Sequence, residues 1–142
     1  MSPSKVDQLV AEKIFGWTYV PEANNWGETT LSHWIDGNGR TQPLYQLPNY
    51  STDLKDAWTV VERIQQKGLF FLLSKWPEYS YYYAEFKKSF PNVHYDAKSN
   101  TVTMAICHAA LKTVGIDVEN DQTYAYMDMV SYKKAPYDDI DD

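Results

Sequence analysis

N-Y-S-T-D-L-K-D-A-W-T-V-V-E-R-I-Q-Q-K-G, residues 49–68, reads as one complete helix with both ends written in. Pro48 and Asn49 break what precedes it. Ser51 or Thr52 caps the first turn, because a hydroxyl there accepts from backbone N–H groups that lack a partner inside the helix. Asp53 and Asp56 place negative charge where the helix dipole is positive. Leu54, Ala57, Trp58, Val61 and Ile64 recur at steps of three and four, so they share one face. Gly68 ends the helix in the left-handed conformation. An apolar face of this length needs cover, and the remaining chain has to supply it.

Outward from this helix, Val6 to Phe15 predicts a short amphipathic helix with Val6, Leu9, Val10 and Ile14 inward and Gly16 as its stop. Trp17 to Val20 predicts a first strand. Leu69 to Trp76 is almost wholly apolar, which suits an inner strand covered on both faces. Tyr79 to Lys88 alternates, with Tyr81, Tyr83 and Glu85 on one face and Tyr82, Ala84 and Phe86 on the other. Pro91 to Asn100 reads as a turn or short hairpin. Thr101 to Val114 predicts the last helix, with Ala105, Ile106, Ala109 and Ala110 as a small-residue face and Gly115 as its end. Trp17 and Trp58 are expected in the core.

The chain of 142 residues carries a net charge of -6, which disfavours a generic DNA or RNA binder. Cys107 is the only cysteine, so no intramolecular disulfide and no cysteine-rich metal site is expected. The start carries charges inside its apolar pattern, so neither a signal peptide nor a membrane span is expected. Residues 1–116 read as one domain. Residues 117–142 read as an acidic tail, in which Tyr124 to Val130 adds an edge strand or an oligomer contact.

Three stretches carry a family resemblance. Y-S-T-D-L-K-D-A-W-T-V-V-E-R-I resembles the signature of the phage ABA sandwich domain, a family of small phage and prophage proteins of Gram-positive bacteria. L-V-A-E-K-I-F-G-W, from Leu9 to Trp17, is similar to its opening helix, and M-A-I-C-H-A-A-L, from Met104 to Leu111, to its closing helix. The resemblance runs from about Val6 to Gly115. It implies an α+β fold, a three-layer α-β-α sandwich with an antiparallel sheet and helices on both faces. It implies a phage origin, hence the cytoplasm of the infected host, and it implies no chemistry.

No catalytic constellation stands out. Cys107 and His108 are adjacent on a helix and point in different directions, which argues against a nucleophile pair. His33, His94 and His108 fall in a loop, a turn and a helix without ligand spacing, so no metal and no cofactor is expected. The segment H-W-I-D-G-N-G-R-T-Q predicts a hairpin turning at Asp36 to Gly39. A calcium loop starting there fails, because Arg40 and Leu47 stand where oxygen ligands belong.

Aromatics are the outlier: 12 Tyr, 5 Trp and 5 Phe. The long connection from Pro21 to Pro48 carries Trp26, His33, Trp34, Arg40 and Tyr45. Two readings stand. In one, Trp26 and Trp34 fold back to roof the sheet. In the other, Trp26, Trp34 or Tyr45 stacks on a nucleobase, Arg40 with Lys98 neutralises phosphate, and Tyr50 with Thr52 lines the floor. The second makes the chain a non-catalytic phage sponge for a host nucleotide immune signal, a cyclic nucleotide or cyclic ADP-ribose-like molecule of the kind used by Thoeris and CBASS defences. A homo-oligomer whose interface completes the pocket suits that role. The alternative is an interaction module with a tyrosine-rich surface for a protein partner.

Overall fold

A computed structural model describes residues 4–118, so the expected acidic tail beyond that point lies outside the described residues. Among the described residues the architecture is an α+β sandwich of three helices and antiparallel sheets. In chain order these are α1 (Lys5–Lys13), β1 (Thr18–Val20), β2 (Ala23–Asn25), β3 (Glu28–Thr30), β4 (His33–Ile35), β5 (Thr41–Gln42), a 3-10 turn (Leu44–Gln46), α2 (Leu54–Gln65), β6 (Phe70–Lys75), β7 (Tyr82–Lys88), β8 (Val93–Ser99) and α3 (Val102–Lys112).

The main sheet runs β6-β7-β8, with every neighbouring pair antiparallel. Helix α3 packs on β7 and β8, and α1 and α2 pack against α3. That position explains why α3 is apolar nearly all round: Ala105, Ile106, Cys107, Ala109, Ala110 and Leu111 are all fully buried. Its small residues let a sheet and two helices approach one helix at once. The other half of the core comes from Val6 and Val10 of α1, from Val60, Val61 and Ile64 of α2, and from Phe86 of β7. Burying a side chain such as Ile64 stabilises the fold by roughly 1.5–3 kcal/mol.

The expected helices are present, with shifts of detail that have physical causes. Asp53, rather than Ser51 or Thr52, caps α2: its carboxylate accepts from the backbone N–H of Lys55 and of Asp56. A carboxylate at that end also meets the positive pole of the helix dipole. Ser51 is drawn inward instead. The Ser51 N–H donates to Asp7 of α1 at 2.8 Å, and the Thr103 hydroxyl of α3 donates to the Ser51 carbonyl at 2.6 Å. The buried stripe of α2 is Ala57, Val60, Val61 and Ile64, rotated from the expected one. Leu54 remains 57% exposed, and Trp58 lies at the margin with its edge on Phe71.

Two strand expectations are corrected. β6 is the sheet's edge, not an inner strand, and Phe70, Leu72 and Leu73 are exposed. Residues 93–99, read as part of a turn, form a full strand paired along β7. Their alternation was present: Val93, Tyr95 and Ala97 face α3, while His94, Asp96 and Lys98 face away.

The connection from Pro21 to Pro48 is not an irregular loop. β2 and β3 form one hairpin, and β4 and β5 form another inside a three-stranded sheet ordered β1-β4-β5. The expected turn at Asp36 is there. Asp36 Oδ1 accepts from the backbone of Asn38 and of Arg40, and Oδ2 from the Gln42 amide. These bonds hold the Asp36 carboxyl below its ordinary pKa, the Arg40 N–H contributing most.

Candidate functional site: an aromatic recess at the edge of the sheet

The turn joining β6 to β7 is built by W-P-E-Y, residues 76–79. Pro77 presets the first turn dihedral, and the Tyr79 N–H closes on the Trp76 carbonyl at 3.1 Å. Lys75 Nζ donates to the Tyr79 carbonyl at 3.0 Å and fixes the far side of the turn. This small frame gathers Trp76, Tyr79, Tyr81 and Tyr83 around an open recess of about 420 Å3. Recesses of a few hundred Å3 lined by aromatic groups are the ordinary setting of a small-molecule site.

Within it Tyr79 and Tyr81 are stacked, with centroids 5.0 Å apart and planes 16° from parallel. Trp76 leans on Tyr79 at 6.2 Å. Lys98 Nζ stands 5.0 Å from the Tyr81 centroid, so a cation borders the rings. The Tyr83 hydroxyl donates to Asp96 Oδ2. Burial first, and that bond second, raise the Tyr83 pKa, so the phenol keeps its proton. The recess therefore offers flat faces and a flanking positive charge. Its lining carries no activated nucleophile.

The expected site residues do not converge. Trp34 is only 2% exposed and belongs to the core, where its ring meets Trp17 and Tyr19 edge-on. Tyr50 is 3% exposed and stacks on Phe15 at 5.1 Å. Both are corrected from ligand contacts to interior packing. Trp26 is fully exposed at the tip of the β2–β3 hairpin, where Trp26 and Gly27 both take positive φ, as a two-residue turn of this hand requires. Arg40 and Thr52 are exposed on other turns. His33 and Tyr45 do share a shallower apolar recess of about 540 Å3 with Leu31, Pro43 and Leu44. Of the expected set, Lys98 alone borders the aromatic recess on the sheet.

The chemistry of the remaining candidates is also explained by packing. Cys107 is fully buried, and burial pushes its thiol pKa up, away from the reactive thiolate. His33 Nδ1 is tied to the Leu31 carbonyl at 2.9 Å.

The model of the phage ABA sandwich domain matches residues 8–111. The chain belongs to that family. A phage protein from Bacillus cereus ATCC 14579, known from a crystal structure at 2.0 Å, has a similar fold: the TM-score is 0.54 over 80% of this chain and 93% of that one, at 24% identity. No curated protein matches the chain. The three stretches that carry the resemblance fall on α1 and the turn after it, on α2 with its Tyr50–Asp53 approach, and on α3. Among the described residues of this ABA sandwich protein, no helix is long and apolar enough to cross a membrane.

Proposed function

We propose that this phage protein binds and sequesters a flat, anionic small molecule of the nucleotide class, a host immune signal, without transforming it. The observation that carries the reading is the convergence of Trp76, Tyr79, Tyr81 and Tyr83 on one open recess bordered by Lys98. Stacking of a base on such rings contributes about 1–3 kcal/mol per base and needs no basic surface overall. The Lys98 ammonium meets the phosphate.

The test is a thermal melt of the purified protein against cyclic nucleotides and ADP-ribose derivatives. A bound ligand at 100 times its Kd adds about 2.7 kcal/mol of stability. Trp76→Ala and Tyr79→Ala remove that shift while leaving the empty protein's melting temperature nearly unchanged, because both side chains lie at the surface, outside the buried core. Ligand released intact by heat denaturation supports trapping, and released product overturns it. A flat response to every nucleotide sinks the reading.

A second reading has its own observation. Among the described residues the outer edge of β6 has no paired strand, and β6 exposes Phe70 and Leu72, which suits a protein partner adding a strand. A pulldown that fails after Leu72→Lys, with nucleotide shifts absent, favours it.

A further inference from the structure

Strands β7 and β8 bring together three side chains far apart in the sequence. Glu85 stands directly opposite Asp96 in the register, and His94 lies two residues before Asp96, so all three leave the same face of the sheet. That face is turned away from α3. His94 Nδ1 is 3.4 Å from Glu85 Oε2 and 3.9 Å from Asp96 Oδ2. One ligand atom from each residue lies within 4.8 Å of the others. Two ligands of a tetrahedral ion, each about 2.1 Å from it, are about 3.4 Å apart. The cluster is therefore close to coordinating dimensions already, and a small rotation of the side chains closes it.

We propose that Glu85, His94 and Asp96 form a binding site for a first-row divalent cation, with Zn2+ the best fit to one imidazole and two carboxylates. The two carboxylates bring the negative charge that balances the ion. The His94 side chain is 62% exposed, which leaves a coordination position open to water or to an anionic oxygen. The Tyr83 hydroxyl, bonded to Asp96 Oδ2, holds that carboxylate in place as an outer partner. Lys87, opposite His94, and Lys98, opposite Tyr83, flank the cluster on the same face. Lys98 reaches over Tyr81, and Lys87 is exposed, so its flexible stem can swing its charge away.

Histidine spacing does not reveal the site, since His94 stands at no ligand spacing from His33 or His108. Only strand register pairs it with Glu85 and Asp96. Tyr83 belongs both to this cluster and to the aromatic recess, so the ion stands at the rim of the recess. The cation site stands whether or not the recess takes a nucleotide.

The test uses the full chain, stripped with chelator and titrated calorimetrically with Zn2+ and with Mn2+ in the absence of any nucleotide. The expected result is one ion per chain. His94→Ala weakens binding at least tenfold, Glu85→Gln does the same, and Tyr83→Phe weakens it severalfold. His33→Ala leaves it unchanged. Cobalt(II) bound in place of zinc gives a visible absorption band that His94→Ala abolishes. Since His94 is exposed, its replacement leaves the circular dichroism spectrum intact and keeps the comparison clean. Failure of both ions to bind in stoichiometric amount overturns the proposal, as does binding that His94→Ala does not weaken. The three groups are then an ordinary imidazole–carboxylate pairing.

Discussion

On α3, His108 Nδ1 is buried with no hydrogen-bond partner among the described residues. Burial above all, with the positive charge of Lys112, lowers its pKa to about 4, while Asp117 acts in the opposite direction. The unfolded chain takes up this proton near pH 6.5, and the folded chain resists until near pH 4. The contribution is therefore fully present above pH 6.5 and is lost as the pH falls toward 4. Within that window the slope approaches about 1.4 kcal/mol per pH unit. Urea midpoints measured at pH 7.5 and pH 5 show this fall, and His108→Leu flattens it relative to the native chain. At the same scale, the aromatic residues show where local reading stops. Trp26 and Trp34 sit eight positions apart among similar neighbours, yet one is fully exposed and the other interior. That difference is decided by which ring the distant Trp17 and Tyr19 can reach.

At the level of elements, legibility follows how local the determining contacts are. The three helices were readable because their apolar period and stop signals lie within a dozen residues of each other. The Asp36 hairpin was readable for the same reason, since its turn bonds span at most six residues. β6 misled because an apolar run is shared by inner strands and by edges that meet something else. β8 was missed because charged residues on its outer face mask a regular alternation. The cap of α2 is the sharpest case. Three oxygen-bearing residues in a row, Ser51, Thr52 and Asp53, all qualify by type, and tertiary hydrogen bonds remove Ser51 from the competition. Asp53→Ala is therefore expected to cost about 1 kcal/mol in chemical denaturation, whereas Thr52→Ala, at an exposed position with no capping bond, changes little.

Across the whole molecule, the candidate sites depend on register that no window of sequence contains. Pairing of Glu85 with Asp96 and of Tyr83 with Lys98 is set by the β7–β8 ladder, and the recess exists because the β6–β7 turn delivers Trp76 and Tyr79 to the same edge. The family resemblance reached the fold without reaching this surface. Within the helical layer a polar junction adds to the apolar packing: Asp7, Ser51 and Thr103 come from three separate parts of the chain and are all nearly buried. Removing one partner strands a buried group, so Asp7→Ala is expected to destabilise the protein by about 1–3 kcal/mol, and Asp7→Asn, whose amide oxygen still accepts, by less. Equilibrium urea unfolding of the two variants measures the difference.

The same junction has a consequence for solvent exchange. Ser51 lies in a turn, where amides ordinarily swap deuterium within seconds, yet its N–H is held by one helix and its carbonyl by another. It can open only when those helices separate, so its proton should be retained as long as those at the centre of α3. A single slow resonance in an otherwise fast-labelling segment would then report the cooperative opening of the entire helical half.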